Sequence, residues 1–275
     1  MSNPLQQYFR QPKIYIKLPS KGLYSNPGTV QGDVSKLPVY GMTGMDEIII
    51  RTPDALLSGE ATVKIIESCI PGIKDAWNLS SIDMNIILIA LRIATYGNIL
   101  NVSHICGNCQ AENDYEVDLN KTVDYFQSCE YENTVHLKDL TIKLKPLSYR
   151  QITDFALRNF QVSQQAQQIL RIPEVDQTDD HRTKLRELYS QLAAIQNDIY
   201  MASVENVETT TVNVTEQRFI LEWLKNCDKE VFDKIRDLSE NNIETWSMPK
   251  TDATCTACQH QFKLAVELDQ SNFFE

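Results

Sequence analysis

The sequence contains no hydrophobic run long enough to cross a membrane. Its longest apolar stretch, residues 86–91, ends at Arg92, whereas a membrane-spanning helix needs roughly 20 apolar residues. The N-terminus also lacks the basic start and the apolar segment of a signal peptide. We therefore expect no membrane association and a protein that stays in the cytoplasm in which it is made.

Basic residues, histidine and glycine are all scarce. The chain has 26 Lys and Arg against 37 Asp and Glu, with four His and nine Gly, and its net charge is −11. Because phosphate backbones repel such a chain, we expect no nucleic-acid partner. The sequence has no Gly-rich phosphate loop, no G-x-S-x-G elbow and no H-E-x-x-H pair. These absences predict a protein that is not an enzyme.

Four of the seven cysteines form two Cys-x-x-Cys motifs, Cys106 with Cys109 and Cys255 with Cys258. In a reducing cytoplasm, cysteines are expected as free thiols or metal ligands, not as disulfides. Each spacing lets one tight turn present two thiolates to a single ion, and two such turns complete a tetrahedral zinc shell. The sequence therefore predicts a structural zinc ion, because four cysteine ligands leave no open position for a substrate.

The segments that begin at the two motifs match in register. Residues 106–119, CGNCQAENDYEVDL, align without a gap on residues 255–268, CTACQHQFKLAVEL. Both predict a knuckle followed by a strand, which is the pattern of a zinc ribbon. Because 145 residues separate Cys109 from Cys255, we infer that a long helical region is inserted into the ribbon. Loop closure over that length is worth only a few kcal/mol, whereas a structural zinc site contributes about 10 kcal/mol or more.

Other interpretations of the cysteines stay open at this point. In one alternative, the two pairs are unrelated reduced thiols. In another, they are redox motifs, although neither pair opens a helix after a strand as in thioredoxin. His104 and His260 lie beside the knuckles and are able to replace a thiolate as ligand, but neighbouring surface histidines are the commoner explanation. The remaining cysteines have no partner at ligand spacing and are interpreted as ordinary packed residues; they are Cys69, Cys129 and Cys227.

The predicted fold class is α+β, mainly α-helical, with an extended N-terminal β arm and a zinc-ribbon-like β unit interrupted by a long helical insertion. Four segments follow from the sequence patterns. Residues 1–50 are the arm with short strands, and residues 51–147 are a helical core with the first zinc knuckle and a β-hairpin. Residues 148–247 are the helical insertion, and residues 248–275 are the second knuckle with a C-terminal strand.

Within the first two segments, residue alternation and capping signals predict the elements. Residues 13–18 alternate as a strand with one buried face, and residues 37–40 and 47–50 look like short strands. A helix is expected to begin at Thr52-Pro53-Asp54, and another to cover residues 60–69. The strongest helix begins at Ser80 or Ser81, ends at Gly97 and is apolar almost all round, so it is expected to be the buried centre.

The later part predicts a hairpin and then helices. Residues 134–145 form the hairpin with a turn at Lys138-Asp139, and residues 148–242 are mostly helical. A seam at alternating steps of three and four, from Leu185 to Ile199, favours packing of two adjacent helices on each other over a partner-binding seam. Two shorter helices follow, around residues 219–224 and 231–238.

A series of short motifs runs the whole length of the chain. They are LPSKG (18–22) with Tyr24, MTGMDE (42–47), TPDALLSG (52–59), ALR (90–92), TYG (95–97), the two Cys-x-x-Cys knuckles and DQSNFF (269–274). In this order they resemble the baseplate hub protein family of T-even-type contractile-tail phages. Members of that family vary in the cysteines, so the metal prediction rests on the residues of this chain.

The resemblance implies a non-enzymatic tail protein, either part of the central baseplate hub or a factor that helps the hub to form. It implies phage baseplate hub and tail proteins as partners, and work in the cytoplasm of an infected bacterium or in the tail baseplate of the virion. The Gln-rich helices are compatible with a homo-oligomer. The residues expected to bind partners lie in the arm and the following loop: Ile14, Tyr15, Ile16, Leu18, Tyr24, Met42 and Met45.

Two other functions belong to different classes. A zinc-ribbon regulator that binds nucleic acid would use the same four cysteines, but residues 106–119 contain no Lys or Arg, and the second half contains only Lys263. A ribbon that reads phosphates is expected to be basic. A redox enzyme would need Cys-x-x-Cys pairs that react readily with and without metal.

Overall fold

A computed structural model describes residues 3–50, 58–173 and 176–266 of the chain. Two compact units make up the protein: unit 1 comprises residues 1–130 and 245–275, and unit 2 comprises residues 131–244. The predicted helix start at Thr52-Pro53-Asp54 and the motif at residues 269–274 lie outside the described residues. The hairpin at residues 134–144 belongs to unit 2, whereas the sequence patterns grouped it with the preceding segment.

The described residues contain several small antiparallel sheets, and more of these residues lie in helices than in strands. This confirms the predicted α+β, mainly helical class. The strands pair as β1–β2, β3–β4, β9–β10 and, in a four-stranded sheet, β5-β6-β7-β8. In chain order the elements are β1 Pro12–Ile16, β2 Leu37–Tyr40, α1 Gly44–Ile50, α2 Glu60–Cys69, α3 Ser81–Tyr96, β3 Ile99–Ile105, β4 Glu112–Asp118, α4 Leu119–Ser128, β5 Thr134–Leu137, β6 Leu140–Leu144, α5 Tyr149–Leu170, α6 Asp179–Ser203, β7 Val204–Thr209, β8 Asn213–Val214, α7 Gln217–Leu224, α8 Lys229–Thr245, β9 Thr251–Thr254 and β10 Gln261–Leu264.

Helix α3 is the centre of unit 1, as predicted. Ser80 precedes its first turn, and Gly97 ends it with a φ of 94°, a backbone angle that glycine adopts without a steric penalty. Helices α2 and α4 and strands β1 and β2 pack around α3. The side chains that this packing removes from solvent include Ile86, Ile87, Ile89 and Leu91.

The N-terminal arm is part of the core of unit 1. Strand β1 pairs with β2, and Ile16 and Leu18 are 2% and 0% exposed. An apolar helix such as α3 needs cover on several sides, and the alternation of β1 supplies inward-facing aliphatic side chains. The prediction that Ile16 and Leu18 bind a partner is therefore wrong, because both are buried within the chain.

Residues 47–50 are helical and not the predicted strand. Thr43 and Asp46 cap helix α1 reciprocally: the Asp46 N–H donates to Thr43 Oγ1 at 3.3 Å, and the Thr43 N–H donates to Asp46 Oδ2 at 2.8 Å. Three β-branched isoleucines favour a strand locally. The cap at the preceding turn and the packing of α1 on α2 outweigh that preference.

Unit 2 is built on the four-stranded sheet, with the predicted β5–β6 hairpin turning at Lys138, whose φ is 42°. Strands β7 and β8 were not predicted. The apolar residues buried in one cluster are Val135, Leu137, Ile142, Leu144, Val204, Val207, Ile220, Leu224 and Ile235. Unit 2 therefore has a core of its own.

Helices α5 and α6 form a long hairpin within unit 2. Ser148 and Thr178 cap them with reciprocal side-chain bonds. The helices pack on each other, and Leu188 and Ile195 of the predicted seam are buried. The interpretation of that seam as intramolecular packing is confirmed. Among the described residues, no helix has the length and apolar character that a bilayer crossing requires.

Candidate metal centre

The two Cys-x-x-Cys motifs lie at the turns of two hairpins of unit 1, β3–β4 and β9–β10. In the first turn, the Cys106 N–H donates to the Ala111 carbonyl and the Gln110 N–H donates to the Cys106 carbonyl, both at 2.9 Å. The second turn repeats these bonds with the same lengths, between Cys255 and His260 and between Gln259 and Cys255. The repeat read from the sequence is thus a repeat of backbone structure.

Each turn closes on a glutamine in the left-handed backbone region. Gln110 and Gln259 have φ angles of 60° and 61°. Each side-chain amide donates back into its own turn, Gln110 to the Gly107 carbonyl at 3.5 Å and Gln259 to the Thr256 carbonyl at 3.3 Å. This conformation turns the chain sharply enough for both cysteines of a knuckle to point to the same side.

The two knuckles face each other and bring their four sulfur atoms together. Cys106 Sγ lies 3.7 Å from Cys258 Sγ, and Cys109 Sγ lies 3.7 Å from Cys255 Sγ; all four atoms lie within 4.8 Å of one another. A disulfide would require about 2.05 Å. A tetrahedral zinc ion with bonds of about 2.3 Å has sulfur–sulfur edges of about 3.8 Å. The two printed separations match this edge, and the four sulfurs as a group are close enough together to hold a metal ion.

Asn113 joins the first hairpin to the second knuckle. Its side chain is 4% exposed, and Oδ1 accepts from the Thr256 N–H at 2.9 Å and from Thr256 Oγ1 at 2.6 Å. Its amide nitrogen donates to the Ala111 carbonyl at 2.9 Å and to Cys255 Sγ at 3.5 Å. Sequence reasoning missed this residue, because its partners lie 142 and 143 positions along the chain.

The pKa values of three of these thiols shift in different directions, down for Cys255 and Cys258 and up for Cys109. The Cys258 N–H, with that of Ala257, lowers the pKa of Cys255 to about 6, and the Asn108 amide donates to Cys258 Sγ at 3.5 Å and lowers the pKa of Cys258. At Cys109 the Ala111 N–H acts to lower the pKa, but Cys258 and the other sulfurs raise it to about 12. Four thiolates this close repel one another, so a divalent cation is the partner that lets all of them ionise.

The histidines beside the knuckles stack on an aromatic ring. The ring of His104 lies 4.6 Å from that of Phe262, and the ring of His260 lies 6.4 Å from it on centroid distances. Within the described part of the chain, the group of close ligand atoms contains the four cysteines and neither histidine. A small apolar cluster lies under the hairpins: Val117, Ala253, Leu264 and Val266.

Fold and site together describe an α+β protein with a four-cysteine cluster that is compatible with a bound metal. The chain matches the family model described as T4 bacteriophage base plate protein over residues 43–275. This chain therefore belongs to that family. No curated protein and no solved structure gives a significant match to it.

The residues predicted to bind partners differ in accessibility. Tyr15 and Met45 are 55% and 68% exposed, and Ile14, Tyr24 and Met42 are half-buried. The arm before residue 43 lies outside the range that matches the family. With Ile16 and Leu18 in the core, these five residues define the remaining candidate docking surface.

Proposed function

We propose that the chain is a component of the phage baseplate hub, or a factor that assembles the hub, and that it acts through protein–protein contacts. The family match supports a baseplate role. The four-cysteine cluster supports a structural use of metal, because four protein ligands leave no open coordination position. In this role the protein contributes a surface for binding other baseplate proteins. The zinc ion links the first knuckle to the second and so joins the two segments of unit 1.

Zinc loading has a direct test. Cys106, Cys109, Cys255 and Cys258 would hold the ion, which would supply positive charge to balance their thiolates. Elemental analysis of the purified full chain is expected to give one zinc per chain, and Cys109→Ser is expected to lower that ratio severely. Cys227→Ser is the matched control, since Cys227 lies in unit 2. Full-length protein with no metal, or equal loading of both variants, would count against the site.

The candidate docking surface carries large apolar side chains in solvent. Met45 of this surface is 68% exposed. Ile48 is not one of the five residues, but it lies three residues further along α1 and is 61% exposed, and residues at this spacing lie on one face of a helix. Tyr15 lies on the arm that packs beside α3. Exposed apolar side chains of this size mark interaction surfaces when they cluster.

Baseplate assembly tests this surface. Tyr15→Glu and Met45→Glu are expected to reduce co-purification of the chain with the other hub and tail proteins, and to reduce the number of complete baseplates seen by electron microscopy after complementation. Gln11→Glu, an exposed substitution on the same arm, serves as the control. Assembly at the normal level with both apolar positions charged would remove the surface from the proposal. Mass spectrometry of purified virions would show whether the chain stays in the tail.

The zinc-ribbon regulator of nucleic acid remains the alternative, and the site gives it little support. Lys263, the basic residue of the second hairpin, is paired with Asp252 at 2.6 Å. A phosphate-binding surface would need several unpaired basic side chains. Gel-shift binding at physiological salt would favour the regulator over the baseplate role.

A further inference from the structure

Helix α5 carries a second seam in addition to the face that packs on α6. From Ala156 the residues of this seam follow steps of four, three, four and three, which is the spacing of a heptad, and Ile152 precedes them by four. At 100° per residue, all six positions fall within an arc of about 80° along about 27 Å of helix. They are Ile152, Ala156, Phe160, Ser163, Gln167 and Leu170.

This second seam faces solvent for most of its length. Phe160 and Leu170 are 51% and 54% exposed, and Ile152 is 37% exposed. Ala156 and Gln167 are also exposed, and Ser163 is half-buried. Large apolar side chains at heptad spacing are normally buried against another helix.

The second seam contains no ionisable residue. The charged residues of α5, namely Arg150, Asp154 and Arg158, lie on the opposite side of the helix by the same 100° rule. The whole chain carries a net charge of −11, so two copies repel each other overall. A neutral stripe is a surface on which two copies meet without placing like charges together.

The seam is complementary to itself in side-chain size. If two α5 helices lie antiparallel about a two-fold axis between positions 161 and 162, Phe160 of one copy faces Ser163 of the other. Ala156 then faces Gln167, and Ile152 lies beside Leu170. Each contact matches a large side chain with a smaller one or pairs two aliphatic ones, which is the condition for an isologous interface.

We infer that the protein forms a two-fold symmetric dimer through an antiparallel pair of α5 helices, with the second seam as the interface and a second copy of this chain as the partner. The contact is independent of the zinc site and of the identity of the tail proteins that the chain binds. Failure of this inference therefore leaves the proposed baseplate function untouched.

Solution mass over a concentration series tests the dimer on the full-length protein. Sedimentation equilibrium is expected to show twice the 31.5 kDa chain mass at high concentration. Phe160→Glu is expected to raise the dissociation constant more than about tenfold, because it places an unpaired charge in the seam. Gln161→Glu is the matched control, because Gln161 lies on the same side of α5 as the charged residues and away from the second seam. This variant is expected to leave the dissociation constant unchanged.

A charge pair tests the antiparallel register. Ala156→Lys and Gln167→Glu should each weaken the dimer, and the double variant should restore it, because each lysine then faces a glutamate of the other copy. The two positions are 11 residues apart in one helix, too far to pair within it. Circular dichroism checks that all variants keep their helix content. A wild-type protein that stays monomeric, a dimer indifferent to Phe160→Glu, or no rescue by the double variant would each overturn the inference.

Discussion

Asn113 is the side chain through which the first hairpin of the metal centre holds the second knuckle. Its amide oxygen accepts both Thr256 donors, and its amide nitrogen points to Cys255 Sγ and the Ala111 carbonyl. It thus orients Cys255, a candidate metal ligand, without belonging to the four-cysteine group itself. Side chains in this position fix ligand geometry before the ion arrives.

Replacing Asn113 should therefore weaken metal binding. Asn113→Ala leaves the Thr256 donors without their acceptor, and we expect the zinc affinity to fall by about 10- to 100-fold. Competition with a chromogenic chelator measures this change on the full chain. Asn101→Ala, an exposed residue of strand β3, is the control and should bind zinc like the wild type. Equal affinities for all three proteins would assign Asn113 a packing role only.

Asp83 is a buried carboxylate at the start of α3. It accepts from the Ser20 N–H at 2.9 Å and from Ser20 Oγ at 2.5 Å. Burial raises its pKa from 3.8 to about 6, against the opposing effect of the two Ser20 bonds. Because the folded-state pKa lies above the unfolded one, the folded protein holds the proton more tightly. The protonated Asp83 therefore contributes stability at low pH, and this contribution is lost as the pH rises from about 4 to about 6.

Asp83→Asn should remove this pH dependence. The unfolding free energy of the variant minus that of the wild type is expected to increase between pH 4.5 and pH 7, by at most about 3 kcal/mol. Urea unfolding at the two pH values measures the difference. The exposed turn variant Asp139→Asn serves as the control. A gap between Asp83→Asn and wild type that stays constant with pH would show that Asp83 does not titrate in this range.

At the scale of elements, the two knuckles should respond alike to the same substitution. Gln110 and Gln259 both have φ near 60°, where a β-branched side chain is strained and asparagine is tolerated. We expect Gln110→Val and Gln259→Val each to cost about 1–3 kcal/mol, and the corresponding Asn variants to be close to neutral. Thermal unfolding of zinc-loaded protein compares them. A clear loss at one knuckle with none at the other would contradict their equivalence.

Long capped helices could be predicted from sequence, whereas short elements decided by tertiary contacts could not. Helix α3 carries its own signal in a cap, a run of apolar residues and Gly97. Strand β7 does not, because an irregularity at Lys143 and Leu144 shifts its register and buries Val204 and Val207 at a spacing of three. A spacing of three hides the alternation that identifies a strand.

At the candidate metal centre, too, the residues within a local motif could be predicted, whereas contacts between distant segments could not. Cysteine spacing and the internal repeat predicted four residues that the structure brings together, because each knuckle is a local motif. The roles of Asn108 and Asn113 depend on contacts between the two hairpins, and no local pattern marks them. The N-terminal arm differs from the prediction for a related reason. The alternation of residues 13–18 indicated a buried face, but it did not show that the rest of unit 1, and not a partner, covers that face.

At the scale of the whole molecule, unit 1 is discontinuous, because its last segment follows unit 2 along the chain. Strands β9 and β10 return to unit 1 after unit 2, and the buried apolar residues shared with β4 are Val117, Ala253, Leu264 and Val266. Partly buried apolar side chains, among them Leu100 and Phe262, pack against these four. The four sulfurs lie at the turns of the same two hairpins, so a bound ion would add a bond between them that the apolar contacts alone do not provide.

Removal of zinc should accordingly loosen the two hairpins and leave unit 2 intact. We expect a chelator to speed amide hydrogen exchange in β3–β4 and β9–β10, because the knuckles lose the ion that opposes repulsion between thiolates. Exchange in the β5-β6-β7-β8 sheet should stay unchanged, because its core consists of residues of unit 2 alone. Hydrogen-exchange mass spectrometry resolves the two regions, and Cys109→Ser should reproduce the effect without chelator. Uniform loosening of both units would instead mean that the ion stabilises the chain as one cooperative body.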